Sequence, residues 1–199
     1  MKRNSVLALV ATLSLAGSAF GLNIGDKAPD TTVKMKNVDG KEVTIADMTG
    51  KNGTLVVFTC NHCPFAKAWQ ERIAAIGNSG KDKGVGVIAI NSNDPTDYPE
   101  DSYAEMQKRA QTLGFTFPYV VDATSDVARA FGASRTPEAF LFDKDGKLVY
   151  HGAIDDSQDA SGVKDHFLQD AITASTAGQP VTNKETKFVG CGIKFHAKT

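Results

Sequence analysis

The run Val56-Val57-Phe58-Thr59-Cys60-Asn61-His62-Cys63-Pro64 constrains this chain more than any other. A β-branched and aromatic stretch of strand-favouring residues leads into C-x-x-C. Beyond it Phe65, Trp69, Ile73 and Ile76 recur at helical spacing, and Gly77 ends the pattern. This order sets two thiols at the carboxyl end of a strand and at the N-terminus of a helix. Unpaired backbone N–H groups and the helix dipole favour a thiolate there. The chemistry such a pair supports is thiol–disulfide exchange. Cys60 is expected at the exposed helix start as the attacking thiol. Cys63 is expected deeper, one turn on, to resolve a mixed disulfide.

The first residues read as a leader. Lys2 and Arg3 are followed by an apolar stretch from Val6 to Ala16, and Ala19-Phe20-Gly21 fits a small-x-small cleavage signal. Residues 1–21 are expected to be a signal peptide, and 22–199 a single domain. The apolar stretch is short of the ~20 residues a spanning helix needs, so no membrane span is expected after cleavage. Ser18 stands where a lipoprotein signal would need cysteine. The expected location is the periplasm or the exterior. Without Lys2 and Arg3 the chain keeps 20 basic residues against 23 acidic ones, a net charge of −3. It has no basic cluster, which argues against nucleic acid as a partner. Three cysteines are too few for a disulfide scaffold.

Along the remaining chain, Thr31–Met35 and Glu42–Ile45 are short strand candidates around Asp39-Gly40, a hairpin signal. Leu55–Thr59, Val85–Ile90 and Tyr119–Val121 read as strands. Ser102-Tyr103-Ala104-Glu105 reads as a capping box opening a helix that Gly114 stops. A short helix is expected over Ser125–Phe131. Ala139–Phe142 and Leu148–Tyr150 flank Asp145-Gly146 as a second hairpin, and a last helix covers Val163–Ala174. The alternation argues an α/β fold with a mixed central sheet, helices on both faces and an N-terminal β-hairpin extension.

The order strand, C-x-x-C, helix, Thr-Pro, hairpin, helix resembles the thioredoxin fold. Ile24-Gly25-Asp26-Lys27-Ala28-Pro29-Asp30 resembles the opening of the peroxiredoxin-like and TlpA-like redoxins, an AhpC/TSA-related group. Arg135-Thr136-Pro137-Glu138-Ala139-Phe140 resembles that group's cis-proline segment. Gly190-Cys191-Gly192-Ile193-Lys194, with the C-x-x-C, resembles a secreted peroxiredoxin-like subgroup. The resemblance implies that Pro137 is cis and packs against the disulfide, leaving the Thr136 backbone free for an incoming extended peptide. Two features depart from the peroxidase signature Pro-x-x-x-Thr/Ser-x-x-Cys. Leu55 stands four before Thr59, where the proline belongs, and His62 stands three after it.

His62 is read as a group that stabilises the Cys60 thiolate, against an ordinary polar loop residue. Arg135 lowers a thiol pKa or contacts substrate, or is a solvated surface arginine. Cys191 is either a third redox thiol or a buried inert cysteine. His151, His166 and His196 show no ligand spacing. The leading function is an exported thiol–disulfide oxidoreductase acting on protein or small thiols and disulfides with a redox-partner protein. It needs no dissociable cofactor. The alternatives are a thiol-dependent peroxidase and a Cu(I)-binding or redox-sensing module using Cys60, His62 and Cys63. The C-x-x-x-C-Pro spacing of redoxin-fold copper chaperones is lacking, and no metal site is assigned.

Overall fold

A computed structural model describes residues 21–198. The expected signal peptide lies, but for Gly21, outside the described residues. The elements run β1 (Met35–Asn37), β2 (Glu42–Val43), β3 (Gly53–Phe58), α1 (Pro64–Gly80), β4 (Val85–Asn91), α2 (Tyr103–Thr112) and β5 (Tyr119–Val121). They continue with α3 (Asp126–Phe131), β6 (Arg135–Thr136), β7 (Glu138–Asp143), β8 (Leu148–Gly152), α4 (Phe167–Thr176) and β9 (Cys191–Gly192).

Strands β2-β1-β5-β4 form one set and β3-β7-β8 another. The sets lie side by side along β3 and β4, where the Thr59 N–H donates to the Ile90 carbonyl at 2.9 Å. β4 and β5 are parallel, whereas β1, β7 and β8 pair antiparallel with their neighbours, so the sheet is mixed. Alternation along each strand sends side chains to opposite faces. Leu55, Val57, Ala89 and Leu141 pack with Trp69 and Ile73 of α1, Met106 of α2, and Leu168 and Ile172 of α4. Val56, Phe58, Ile90, Phe140 and Phe142 pack on the other face with Val127, Ala128 and Phe131 of α3 and with Met35 and Ile45 of the N-terminal arm. Helices thus cover both faces, as the sequence pattern predicts.

Several boundaries differ from the sequence expectation, each for a tertiary reason. The first strand starts at Met35, not Thr31, because Lys36 and Asn37 pair with Val121 and Val120 of β5. The hairpin itself forms, with Gly40 at φ +87°. Gly77 does not end α1. It lets the helix lie against the Phe117 ring, which a Cβ would meet at 2.1 Å. Ser102 is the N-cap residue of α2, but its side chain makes no capping bond, and Glu105 instead takes the Lys108 ammonium at 2.5 Å. The last helix begins at Phe167, since residues 160–162 form a separate 3₁₀ turn and the Leu168 N–H goes to the Ile154 carbonyl at 3.1 Å.

Under β3 and β7, the Phe131 ring meets Phe58, Phe140 and Phe142 edge-on, with centroids 5.3, 5.4 and 6.0 Å away. All four rings are buried. Truncating Phe131 to alanine removes this support and leaves a cavity, a loss of about 3–5 kcal/mol. The expected result is a fall of about 10 °C in thermal midpoint for a domain of this size. A shift within a degree of the parent protein would refute the packing role.

Candidate active site

β3 ends at Phe58, and residues 59–62 turn the chain into α1. Cys63, at φ −64° and ψ 125°, is the N-cap residue, and Pro64 occupies the first helical turn, where its missing N–H leaves nothing unpaired. This corrects the sequence expectation. Cys63, not Cys60, stands at the head of the helix, because the proline follows the second cysteine and starts the helix there. Neither thiol is exposed: Cys60 retains 2% and Cys63 0% of its surface.

Thr136 bridges the two sulfurs. Its hydroxyl lies 3.0 Å from Cys60 Sγ, and its carbonyl 3.3 Å from Cys63 Sγ, which it binds when that sulfur carries a proton. The Thr136–Pro137 bond is cis. Glu138, buried beyond Pro137, fixes this segment: one carboxylate oxygen accepts the Ser134 and Arg135 N–H groups at 2.9 and 3.0 Å. The other lies 2.7 Å from His151 Nε2, and the His151 ring stacks on Phe140 at 4.4 Å. His151 is therefore a structural partner of the cis-proline segment. Arg135 donates to the Gly190 carbonyl at 2.9 Å and holds the chain end instead of a thiol.

The residue that sequence reading missed is Asp101. It lies in a turn before α2, and its side chain is fully buried. One oxygen accepts the Asn61 and His62 N–H groups at 2.5 and 3.1 Å; the other accepts Asn93 Nδ2 at 2.9 Å and lies 2.5 Å from His62 Nδ1. The His62 ring stacks on Tyr98 at 4.2 Å. Asn61 is held further by Arg109, which donates to its carbonyl at 3.2 Å, and by the Tyr119 hydroxyl at 3.1 Å. The only sequence hint was an acidic residue beside a helix start, a feature too common to single out.

These contacts split the two thiols electrostatically. Cys63 is lowered to about 4, first because the Cys60 thiol donates to it, and further because the Cys191 thiol and the Ala66 and Cys191 amides favour its thiolate. Cys60 is raised by that same hydrogen bond, then by burial and by the Asp101 charge. Cys191 is raised to about 11 by burial and by the adjacent Cys63. Burial pushes Tyr119 well above the phenol range. A thiolate is thus favoured at Cys63 over Cys60, in line with the place of Cys63 at the helix head.

Cys60, His62 and Asp101 each bring a donor atom within 4.8 Å of the others. Thiol, imidazole and carboxylate together are a mixed set. The hard carboxylate suits Cu(I) poorly, and His62 Nδ1 already faces Asp101. Cys191 lies against Cys63 and Phe65. β9 pairs antiparallel with β6, Thr136 opposite Cys191 and Arg135 opposite Gly192. The expectation that the Thr136 backbone is free for an incoming peptide is therefore corrected: the chain's own end occupies it.

Residues 24–151 match the AhpC/TSA family. The chain belongs to that family. It is 27% identical over 162 residues to the thiol-disulfide oxidoreductase ResA of Bacillus thuringiensis, covering 75% of this chain and 88% of that one. The crystal structure of an uncharacterized conserved protein from Geobacillus kaustophilus is 39% identical and superposes with a TM-score of 0.82, over 89% of this chain and 94% of that chain. A thioredoxin-like protein solved in its oxidized form, 21% identical, gives a TM-score of 0.65 over 79% of this chain and 99% of that one, which makes the fold thioredoxin-like. The AhpC/TSA match ends at His151, before α4 and Cys191.

A lowered thiol has a pH signature. The folded Cys63 value lies below the ~8.5 of an unfolded cysteine. The thiolate therefore stabilises the reduced fold fully above that unfolded value, and the gain is lost as pH falls through about 4. The reduced form should gain stability relative to the oxidised form as pH rises between these limits. Ultraviolet thiolate absorbance should persist in mildly acidic solution, vanish with a midpoint at about 4, and be absent in Cys63→Ser. A single midpoint near that of a free cysteine, or loss of the signal only in Cys60→Ser, would place the thiolate elsewhere.

Proposed function

We propose that this AhpC/TSA protein is a thiol–disulfide oxidoreductase working outside the cytoplasm, with Cys60 and Cys63 as its redox pair. The observation that carries this is the junction itself. Two buried thiols share the single residue Thr136 beside a cis-proline at the head of a helix. Exchange with a substrate disulfide builds a mixed disulfide on Cys63, which the chain end covers at rest, and releases one substrate thiolate. Cys60 then gives up its proton and attacks the Cys63 sulfur. The Cys60–Cys63 disulfide closes, and the second substrate sulfur leaves as a thiol. Two electrons pass to the substrate, and a thiol partner returns them. Beside Pro137 lies a cleft of about 420 Å³ lined by Phe188 and Val189 and by Asp155, Asp156 and Asp159, a mixed apolar and acidic surface for a protein substrate.

Exchange assays decide the matter. Cys60→Ser and Cys63→Ser should each lose insulin-disulfide reduction, and the parent should reduce insulin without consuming hydrogen peroxide at a comparable rate. Rapid peroxide consumption by the parent would favour the peroxidase reading. Retention of full exchange by either variant would remove that cysteine from the pair.

The potential should respond to Asp101 and His62 in opposite directions. The Asp101 charge stands beside Cys60 and disfavours the negative charge that the reduced pair carries, and the imidazole stands against the carboxylate. Whatever stabilises thiolate stabilises the dithiol and makes the disulfide more oxidising. Asp101→Asn should raise the potential and His62→Ala should lower it. A shift of about 30 mV corresponds to about 1.4 kcal/mol in this two-electron couple. Glutathione and dithiothreitol titrations measure both, and shifts of the same sign would contradict the electrostatic argument.

Export rests on the first 21 residues, whose basic start, apolar run and Ala19-x-Gly21 form a leader pattern. Intact-mass measurement of the protein from its native host should give a chain beginning near Leu22. A full-length Met1 form in the cytoplasmic fraction would sink the idea.

A further inference from the structure

Exchange needs an incoming sulfur in line with the sulfur it meets, yet neither Cys60 nor Cys63 offers a surface to solvent. The sulfur that does reach Cys63 belongs to this chain. β9 lies along β6 as an added strand, with Cys191 opposite Thr136. The fit is close: a Cβ on Gly190 would meet the Thr136 carbonyl oxygen at 2.4 Å, so only glycine lets β9 approach this far. Arg135 grips the Gly190 carbonyl at 2.9 Å, and the Ile193 N–H donates to the Ser134 carbonyl at 3.0 Å. The Cys191 thiol and amide both lie against Cys63, while Cys191 itself is half-exposed. An extended peptide added at a sheet edge is a recurrent way to present a reactive side chain. Here the presented side chain is a third thiol.

We propose that β9 is a built-in substrate strand and that Cys191 is the relay thiol through which a partner dithiol reduces the buried Cys60–Cys63 disulfide. This rests on the Cys60–Cys63 pair being the redox centre. In the oxidised protein Cys191 loses its proton and attacks Cys63 Sγ. The Cys63–Cys191 bond forms as the Cys60–Cys63 bond breaks, and the electron pair goes to the Cys60 sulfur, which takes up a proton. No net oxidation occurs in this step; the disulfide moves outward. A thiolate of the partner then attacks the accessible Cys191 sulfur, and Cys63 leaves as the stabilised thiolate. The partner's second thiol attacks its own sulfur in the mixed disulfide and releases Cys191. The sum is one protein disulfide reduced and one partner dithiol oxidised.

Once Cys63 is in a disulfide, its charge and its hydrogen bond to Cys191 are gone, so two of the three influences that hold the Cys191 proton vanish. Burial, the largest influence, remains, so the Cys191 thiolate is easier to form in the oxidised protein than in the reduced one. Lys194, close in sequence, favours the Cys191 thiolate in the same state.

Two measurements test this on the full chain. Mild oxidation of Cys60→Ser with diamide should give an intramolecular Cys63–Cys191 disulfide by peptide mapping, and adding Gly190→Ala should lower its yield. In Cys191→Ser the Cys60–Cys63 disulfide should still form, but its reduction by thioredoxin dithiol should slow about tenfold or more, because a buried sulfur must then be reached directly. A Cys191 that stays alkylatable in oxidised Cys60→Ser overturns the relay. So does unchanged or faster reduction of Cys191→Ser, which would make β9 a mere cover. Failure of Cys191→Ser to form any Cys60–Cys63 disulfide would overturn the redox pair as well as the relay.

Discussion

The buried carboxylate of Asp101 is the constraint on which the site depends. A carboxylate taken out of water is costly unless hydrogen bonds occupy its lone pairs. Here they come from the Asn61 and His62 amides, the Asn93 side chain and the His62 ring. Two of the four donors are backbone groups of the turn between the cysteines, so satisfying the charge fixes the path of that turn. The network continues outward. Asn93 Oδ1 accepts the Lys194 N–H at 2.8 Å, and the Asp94 N–H donates to the Lys194 carbonyl at 2.7 Å. One run of hydrogen bonds therefore ties the thiol turn to the chain end that covers it.

The second half of the site is held by a second buried carboxylate. Glu138 accepts two amides of the segment leading into the cis-proline and is backed by His151. Thr136 lies between the two halves and presents its hydroxyl to one sulfur and its carbonyl to the other. Its backbone also carries β9. A single residue thus sets the spacing of three sulfurs. Because Cys60 and Cys63 are buried, each dipole aimed at their sulfurs acts with more force than it would in water.

How much of this was legible in the sequence follows from the range of each contact. Local patterning placed a strand at Leu55–Thr59 and set Trp69 and Ile73 at helical spacing, and the fold packs Leu55 and Val57 with those two residues and Val56 and Phe58 on the other face. Asp39-Gly40 marked its hairpin, and Thr136-Pro137 was placed by resemblance. Proximity to the thiols was invisible for Asp101, which stands 40 positions after Asn61 in a stretch rich in turn formers. The two-residue strand at Cys191 carries no period a pattern can reveal; only its pairing with Thr136 creates it. The capping box at Ser102 failed for a related reason. Its glutamate found a lysine one turn on, and a local motif yielded to a competing local partner.

The groups that lower Cys63 are the Cys60 and Cys191 thiols and two backbone amides, with no lysine or arginine among them. Arg135, the basic side chain nearest in sequence to the cis-proline, spends a donor on Gly190. Thiolate stabilisation here is therefore built from neighbouring thiols and backbone amides, not from mobile cations. Dipoles of this kind act at short range and are little screened by salt when buried. They also depend on registry. The Cys191 amide bears on Cys63 only while β9 stays paired with β6. The reactivity of the central sulfur and the docking of the chain end are consequently two aspects of one arrangement: whatever moves β9 must also change the acidity of Cys63.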